Sequence, residues 1–351
     1  MPGSAAATIP ATASAGRTGP PGAPLLEVRD LRVEYLTPRG AVRAVDGVSF
    51  EIAPGEVFGL AGESGSGKST IAHAILRILP PPAVISGGAV RFEGRDVLAM
   101  DDGELERFRW RDVSMVFQSA MNALNPVMTI GDQIVDAIEA HRRVSRREAR
   151  ARAAELLKIV GIEESRLDSY PHQLSGGMRQ RATIAIALAL GPPLMIMDEP
   201  TTALDVVVQK EIMQQIEELK ERLGFSILFI THDLSLLVEF STRIAIMYAG
   251  EIVELAPAHE LFANPLHPYT QGLMASFPSI TGEKRRLTGI PGSPPDMAAP
   301  PSGCRFHPRC ALAKPMHAQV IPRLREVSAG HYVACHLYGG RRTEDGGRRT
   351  D

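Results

Sequence analysis

The chain has 351 residues, enough for about two to three domains, and 44% hydrophobic and 22% charged residues are ordinary for a soluble globular protein. A formal net charge of −2 gives no basic footprint for nucleic-acid binding, so we expect no nucleic-acid partner. The sequence contains no run of about 20 unbroken apolar residues, so we predict no membrane-spanning helix.

The two ends differ in composition from the rest of the chain. Residues 1–24 consist almost entirely of Ala, Gly, Pro, Ser and Thr, without the basic start and apolar core of a secretory signal, so we predict a disordered tail. Residues 339–351 are rich in Arg, Gly and Asp and are predicted to be disordered too. Three cysteines in a chain without such a signal do not indicate a disulfide framework.

The first elements predict a strand, a glycine-rich loop and a helix. Residues 26–36 alternate partly between apolar and polar and predict an edge strand, and residues 44–52 predict a second strand. A short apolar strand at 57–61 leads into the glycine-rich segment 62–69. A helix is predicted from Ser69 to the proline run at 80–82. Strand, loop and helix in this order are the setting that a phosphate-binding loop requires.

The later elements alternate between helices and strands. Residues 125–190 are rich in helical pattern, and residues 209–223 predict an amphipathic helix with Gly224 as its C-cap. A buried strand is predicted at 225–230, followed by a hairpin of residues 243–248 and 251–255. From residue 281 the composition shifts to Pro, Gly, Arg and Cys, and this marks a separate C-terminal extension, 281–338.

The glycine-rich segment predicts a triphosphate site. Its glycines let backbone N–H groups approach phosphates at a helix N-terminus. Lys68 is expected to reach the β- and γ-phosphates, and the Ser69 hydroxyl to bind Mg²⁺. The alternative, a chance glycine turn, does not account for the full G-x-x-x-x-G-K-S pattern. The predicted nucleotide-binding residues here are Gly62, Glu63, Ser64, Gly65, Ser66, Gly67, Lys68, Ser69 and Thr70.

Four polar side chains further along predict the chemistry at this site. Asp198 and Glu199 end the apolar run 194–197, where Asp198 is expected to hold Mg²⁺ and Glu199 to act as general base on water. His232 follows the strand 225–230 and is predicted to contact the γ-phosphate. Gln118 ends the run 113–118, and its amide suits both Mg²⁺ and water. The alternatives are two acids that cap a strand and a surface histidine.

Residues 174–178, Leu-Ser-Gly-Gly-Met, predict a second phosphate-binding helix N-terminus. One chain does not need two γ-phosphate sites for one nucleotide. We therefore expect Ser175, Gly176 and Gly177 to serve the ATP of a partner subunit. The alternative is a simple glycine N-cap.

In this order the motifs resemble those of the ATP-binding-cassette (ABC) ATPases, over about residues 25–260. Residues 62–69 match the Walker A motif, Gln118 the Q-loop, 174–178 the signature, 194–199 Walker B, 203–205 with Asp205 the D-loop, and His232 the switch histidine. The signature ends in Met178, where many members have Gln. Tyr35 lies where the family has an aromatic that stacks on adenine, although an ordinary strand aromatic is the alternative.

The resemblance implies an α/β fold, a P-loop NTPase domain over residues 25–280. Such a domain has a RecA-like core, an antiparallel β subdomain and a helical subdomain, here at about 120–190. ATP and Mg²⁺ are the implied cofactors. Two such domains close over two ATP molecules, so the implied nucleotide site joins one chain to Ser175 and Gly177 of another.

Three further segments are similar to the C-terminal extension of the oligopeptide/dipeptide importer ATPases: 264–270, 290–296 and 303–310. Residues 121–126 also resemble that group, although Ser119 stands where an acid is frequent. Four cysteines often hold a [4Fe–4S] cluster in that extension, and the matching positions are Cys304, Cys310, His317 and Cys335. Three thiols and an imidazole also suit Zn²⁺, and a site without any metal is the remaining alternative. His307 and His336 are other candidates for the fourth ligand.

The resemblance implies the energy subunit of an importer at the cytoplasmic face of the membrane. Its implied partners are a second ABC ATPase, two membrane-spanning permeases and an extracytoplasmic solute-binding protein. Peptides are the family's commonest cargo, and relatives carry nickel or oligosaccharides. A soluble ABC ATPase acting on ribosomes or DNA is the second reading, and a module that binds ATP without hydrolysis is the third. A single cassette without a heptad run, and with every catalytic position filled, favours the importer.

Overall fold

Two β-sheets organise the computed structural model, which describes residues 22–38, 40–118, 123–202, 204–276 and 289–338. The predicted disordered tails lie outside these ranges except for residues 22–24. No helix within them has the length and apolar character needed to cross a membrane.

The elements follow one another in this order. The strands are β1 (Leu26–Thr37), β2 (Gly40–Ile52), β3 (Val57–Ala61), β4 (Ala83–Phe92), β5 (Arg95–Asp96), β6 (Val113–Val116), β7 (Leu194–Asp198), β8 (Ser226–Ile230), β9 (Arg243–Tyr248), β10 (Glu251–Pro257), β11 (Arg325–Ser328) and β12 (His331–Val333). The helices are α1 (Lys68–Ile75), α2 (Asp102–Arg111), α3 (Ile130–Glu139), α4 (Arg146–Ile159), α5 (Gly176–Ala187), α6 (Val206–Leu223), α7 (Leu234–Phe240), α8 (Ala258–Ala263) and α9 (Pro268–Ala275).

The first sheet is antiparallel, with the strand order β2-β1-β4-β5. The prediction that β1 is an edge strand is wrong, because Val28 pairs with Phe50 of β2 on one side and with Val90 of β4 on the other. Partial alternation indicates that one face of a strand is covered, but it does not reveal how many neighbours the strand has. The fold expected from the ABC resemblance contains this antiparallel β subdomain.

The second sheet has the order β11-β12-β10-β9-β3-β8-β7-β6, in which β9, β3, β8, β7 and β6 run parallel. Every residue of β3, β7 and β8 is buried, as expected for strands covered on both faces. Leu60 pairs with Ile230, which also pairs with Asp198. The carboxyl ends of three strands therefore meet at one edge of the sheet, which is where ligands bind in such folds.

Helices α3, α4 and α5 form the predicted helical region, and their apolar faces share one core that includes Ile134, Leu157 and Ile184. Helix α6 ends at Leu223, and Gly224 follows it with a φ of 73°, which confirms the predicted glycine C-cap. Helix α1 ends at Ile75, before the predicted proline run, and the side chain of Arg109 donates to the carbonyls of residues 76 and 77 beyond it.

The C-terminal extension continues the second sheet. Strand β12 pairs with β10, and β11 pairs with β12. The fully buried carboxylate of Glu254 accepts from the backbone N–H groups of Leu266 (2.7 Å) and His267 (2.9 Å) and lies 2.8 Å from His331 Nε2. Burial lowers the pKa of His267 to about 4, so this ring is neutral at neutral pH. The extension is thus joined to the core by backbone pairing and by a buried polar cluster.

Candidate nucleotide site

The glycine-rich loop connects β3 to α1 in a conformation that excludes side chains at two positions. A Cβ on Gly62 (φ 148°) would lie 2.2 Å from the carbonyl oxygen of Met247. A Cβ on Gly67 (φ 103°) would lie 2.3 Å from the carbonyl oxygen of Ala44. The loop therefore packs closely against β2 and β9 and ends at the N-terminus of α1, where free N–H groups favour anions.

Lys68 places a cation inside this loop. Its side chain is nearly buried, and Nζ donates to the carbonyl oxygens of Gly62 at 2.7 Å and Glu63 at 3.0 Å. Burial lowers the pKa of Lys68, while the nearby carboxylates of Glu199 and Asp198 oppose that shift. The amine thus lies inside the glycine loop, and its contact with the β- and γ-phosphates stays a prediction.

Asp198 has the properties expected of a residue that binds Mg²⁺. The residue is 2% exposed, and its Oδ1 has no hydrogen-bond partner in the described part of the chain. Burial raises the pKa of Asp198, and a hydrogen bond with Ser69 counteracts part of that shift. A buried carboxylate oxygen beside a hydroxyl is the hard oxygen environment that Mg²⁺ prefers. These two residues fit the Mg²⁺ that accompanies ATP.

Glu199 brings together the predicted catalytic residues. Its Oε2 accepts from Gln118 Nε2 at 2.9 Å, and its Oε1 lies 3.2 Å from His232 Nδ1. The residue has a φ of 47°, a left-handed conformation that is uncommon for a non-glycine residue and is found preferentially at functional sites. Its backbone N–H donates to the carbonyl oxygen of Ile230 at 2.8 Å, which holds the carboxylate beside the end of β8.

Thr202 is a further site residue that sequence reasoning missed. Its hydroxyl donates to Glu199 Oε2 at 3.1 Å, beside the Gln118 amide. The only sequence signal is a hydroxyl three residues after the acid in a short turn. This contact adds a third group that fixes the orientation of the carboxylate.

A cavity of about 330 Å³ joins the loop to the catalytic residues, which is within the range of ordinary ligand pockets. Predicted residues on its wall include the adenine-stacking candidate Tyr35 and the loop neighbour Thr70. Met297, which the sequence did not indicate, also lines it and belongs to the C-terminal extension. The full lining is Tyr35, Val42, Ala44, Ser64, Gly65, Gly67, Lys68, Ser69, Thr70, Gln118, Glu199 and Met297.

The signature residues lie outside the lining of this cavity. Ser175 is the N-cap of α5, where its Oγ accepts from the N–H of Met178 at 3.2 Å, and Gly176 and Gly177 begin the helix. Asp205 also lies outside the lining and caps α6, with Oδ1 accepting from the N–H groups of residues 207 and 208 at 3.1 and 3.0 Å. The predicted roles of these residues toward a partner's nucleotide remain predictions.

The three cysteines of the extension, Cys304, Cys310 and Cys335, are free thiols. Burial raises the pKa of Cys304 to about 11, and the thiols of Cys335 and Cys310 add to this shift. His317 Nδ1 accepts from the N–H of Lys314 at 3.2 Å, and the ring stacks on His336 with centroids 4.9 Å apart. Within the described ranges, no group of three or more His, Cys, Asp or Glu side chains is arranged to hold a metal ion. The predicted metal site is therefore not formed as such in this structure.

Comparison with known proteins identifies two regions. The family description "ABC transporter" matches residues 45–202, and "Oligopeptide/dipeptide transporter, C-terminal region" matches residues 253–316. The oligopeptide transport ATP-binding protein OppD of Bacillus subtilis is 44% identical over 318 residues, covering 89% of this chain and 88% of that protein. The dipeptide transport ATP-binding protein DppD of Caldanaerobacter subterraneus is 43% identical over 316 residues, covering 90% and 97%.

Solved structures give the same assignment. A dimeric, post-hydrolysis structure of the ATP-binding cassette MJ0796, bound to ADP and Pi, superposes with a TM-score of 0.60 at 32% identity. The match covers 66% of this chain and 98% of that one. The chain therefore belongs to the family of ABC transporter ATP-binding proteins, in the group that carries the oligopeptide/dipeptide transporter C-terminal region.

Proposed function

We propose that this chain hydrolyses ATP as the energy subunit of an ABC importer for di- or oligopeptides. One observation carries the ATPase assignment: the carboxylate of Glu199 contacts Gln118 and His232 beside a cavity that also contains Lys68. The peptide cargo is supported by relatives that are named for oligopeptide or dipeptide transport.

The residues of the cavity suit in-line attack of water on a bound triphosphate. Lys68 and the N–H groups of the glycine loop would neutralise phosphate charge. Ser69 and Asp198 would hold Mg²⁺, which would supply further neutralisation of that charge. Glu199 orients the attacking water and accepts its proton. Gln118 and His232, which contact the two oxygens of this carboxylate, fix its direction.

A second ATP-binding subunit completes the site in this proposal. Ser175 and Gly177 begin helix α5 away from the cavity of their own chain, so they are free to face the nucleotide of a partner. The similarity to a cassette solved as a dimer supports this arrangement. Two permeases and an extracytoplasmic solute-binding protein complete the proposed assembly, with this chain at the cytoplasmic face of the membrane. Nickel or oligosaccharides are the alternative cargoes.

The assembly is tested by coexpressing the chain with permeases and a solute-binding protein of the peptide-importer class from the same genome. We expect these proteins to co-purify and, in lipid vesicles, to hydrolyse ATP faster when a peptide and the binding protein are present. If nickel or oligosaccharides stimulated ATP hydrolysis and peptides did not, the peptide cargo would be contradicted. Recovery of the chain with ribosomes and without permeases would favour the soluble ABC ATPase.

The iron–sulfur cluster in the extension stays a prediction, which rests on the chemistry of the three free thiols Cys304, Cys310 and Cys335 and on the resemblance to the importer ATPases. Anaerobically purified protein is expected to be brown, with four iron atoms per chain. Replacing Cys335 with serine is expected to remove the colour. A colourless protein with one bound zinc would contradict the cluster and support the zinc alternative.

A further inference from the structure

The C-terminal extension contacts the phosphate-binding loop directly through Arg309. Its Nη1 donates to Glu63 Oε2 at 2.8 Å, and its Nη2 donates to Glu63 Oε1 at 3.0 Å. The Arg309 side chain is only 6% exposed. Paired hydrogen bonds of this kind fix the carboxylate in both position and orientation. Two residues 246 positions apart in the sequence are thus joined beside the phosphate-binding loop, next to the residues that line the cavity.

Neighbouring groups hold both members of this pair. The guanidinium of Arg309 lies over the ring of Tyr248, 5.8 Å from its centroid, and Nε donates to the carbonyl oxygen of Pro291 at 2.9 Å. The backbone N–H of Glu63 donates to the hydroxyl of Tyr269 at 2.9 Å. Glu63 is therefore held through its side chain and its backbone by residues that follow the hydrolytic motifs in the sequence.

Arg305 makes a second, indirect connection to the same loop. Its buried side chain donates to the carbonyl oxygen of Ala249 and to the carboxylate of Asp46. Ala249 and Gly250 form the turn between β9 and β10, and Gly250 donates its N–H to the carbonyl oxygen of Ser66 at 3.0 Å. The segment from Arg305 to Arg309 therefore supports the glycine loop at two points.

The charge of Glu63 makes its pairing important for ATP. Glu63 belongs to the loop that receives the triphosphate, and its carbonyl accepts from Lys68 Nζ at 3.0 Å. An unpaired carboxylate at this position would repel the phosphates and would compete for the charge of Lys68. Neither Glu63 nor Arg309 lines the cavity, so the guanidinium neutralises the carboxylate just outside it, next to the lining residues Ser64 and Gly65.

We propose that Arg309 is a positioning residue for ATP: by pairing with Glu63, it fixes the phosphate-binding loop and removes an unfavourable charge from it. This inference rests on the proposed function only in taking ATP as the ligand. It assigns to the C-terminal extension a direct part in nucleotide affinity.

The test uses the full chain and measures the Kd for ATP in EDTA, where hydrolysis does not proceed. We expect Arg309→Gln to weaken binding about tenfold, because the carboxylate of Glu63 is then unpaired. Glu63→Gln alone is expected to weaken binding less than Arg309→Gln does, because it leaves no unpaired carboxylate, and the Glu63→Gln/Arg309→Gln double variant is expected to bind ATP more tightly than Arg309→Gln. Arg323→Gln, an exposed position in the same extension, is the matched control and is expected to bind normally.

If the double variant regains affinity for ATP, Arg309 acts by pairing with the charge of Glu63. If Arg309 had a purely structural role, the second substitution would not restore ATP binding. The proposal is overturned if Arg309→Gln binds ATP like wild type, or if the double variant is as weak as Arg309→Gln. Thermal melting of each variant identifies one that does not fold. Arg309→Lys, which keeps the charge but not the paired hydrogen bonds, is then expected to bind ATP more tightly than Arg309→Gln and more weakly than wild type. A wild-type chain that binds ATP without hydrolysing it would contradict the proposed function and leave this test intact.

Discussion

A Lys68→Ala variant is expected to bind ATP about 100-fold more weakly than the wild-type chain. The Lys68 amine lies almost fully buried inside the glycine loop, where it donates to the carbonyl oxygens of Gly62 and Glu63. Its loss leaves both carbonyls without that donor. It also leaves the carboxylates of Asp198 and Glu199 without their nearby cation, so the loop becomes more negative where an anion must bind.

Calorimetric titration with ATP measures this effect. Lys210→Ala, at an exposed position on helix α6, removes the same charge from the chain and is expected to leave the Kd unchanged. An unchanged Kd in Lys68→Ala would show that the glycine loop is not the phosphate site. Equal weakening in both variants would instead point to a nonspecific effect of net charge.

A Glu199→Gln variant is expected to hydrolyse ATP about 100- to 1,000-fold more slowly while it still binds ATP. An amide keeps the volume of the side chain and one acceptor for Gln118, but it cannot accept a proton from water. Binding is preserved because the loop and Lys68 remain in place, and one negative charge near the phosphates is removed. Hydrolysis and affinity therefore separate in this variant, whereas Lys68→Ala impairs both.

The matched control for this substitution is Glu217→Gln, an exposed position on helix α6. It makes the same chemical change away from the cavity and is expected to hydrolyse ATP at the wild-type rate. Phosphate release at saturating ATP and the Kd in EDTA give the two readouts.

The proximity of Gln118, Glu199 and His232 was predictable from the sequence because these residues follow buried strands. Asp198 with Glu199 and His232 come at or just after the ends of β7 and β8, and the glycine loop follows β3. Parallel pairing brings these three strand ends to one edge, so short local patterns were enough to place distant residues together. The glycine C-cap at Gly224 was equally local and was confirmed.

Contacts between remote segments were not predictable in this way. Arg309 and Glu63 are far apart in the chain, and residues 289–309 are rich in Pro and Gly without a periodic pattern that would orient a side chain. Met297 enters the cavity lining from the same segment. The edge assignment of β1 failed for a related reason, since its second neighbour, β4, lies beyond the glycine loop and α1. Partners that meet only in the folded chain leave little trace in local composition.

Phosphate release by the assembled transporter is the most direct test of the account, with wild type and Glu199→Gln compared at equal ATP occupancy. The predicted result is that wild type releases phosphate in response to peptide and that the variant releases at most about one hundredth as much while retaining bound ATP. Equal release by the two proteins would contradict the assignment of Glu199 and of the cavity as the centre of ATP hydrolysis.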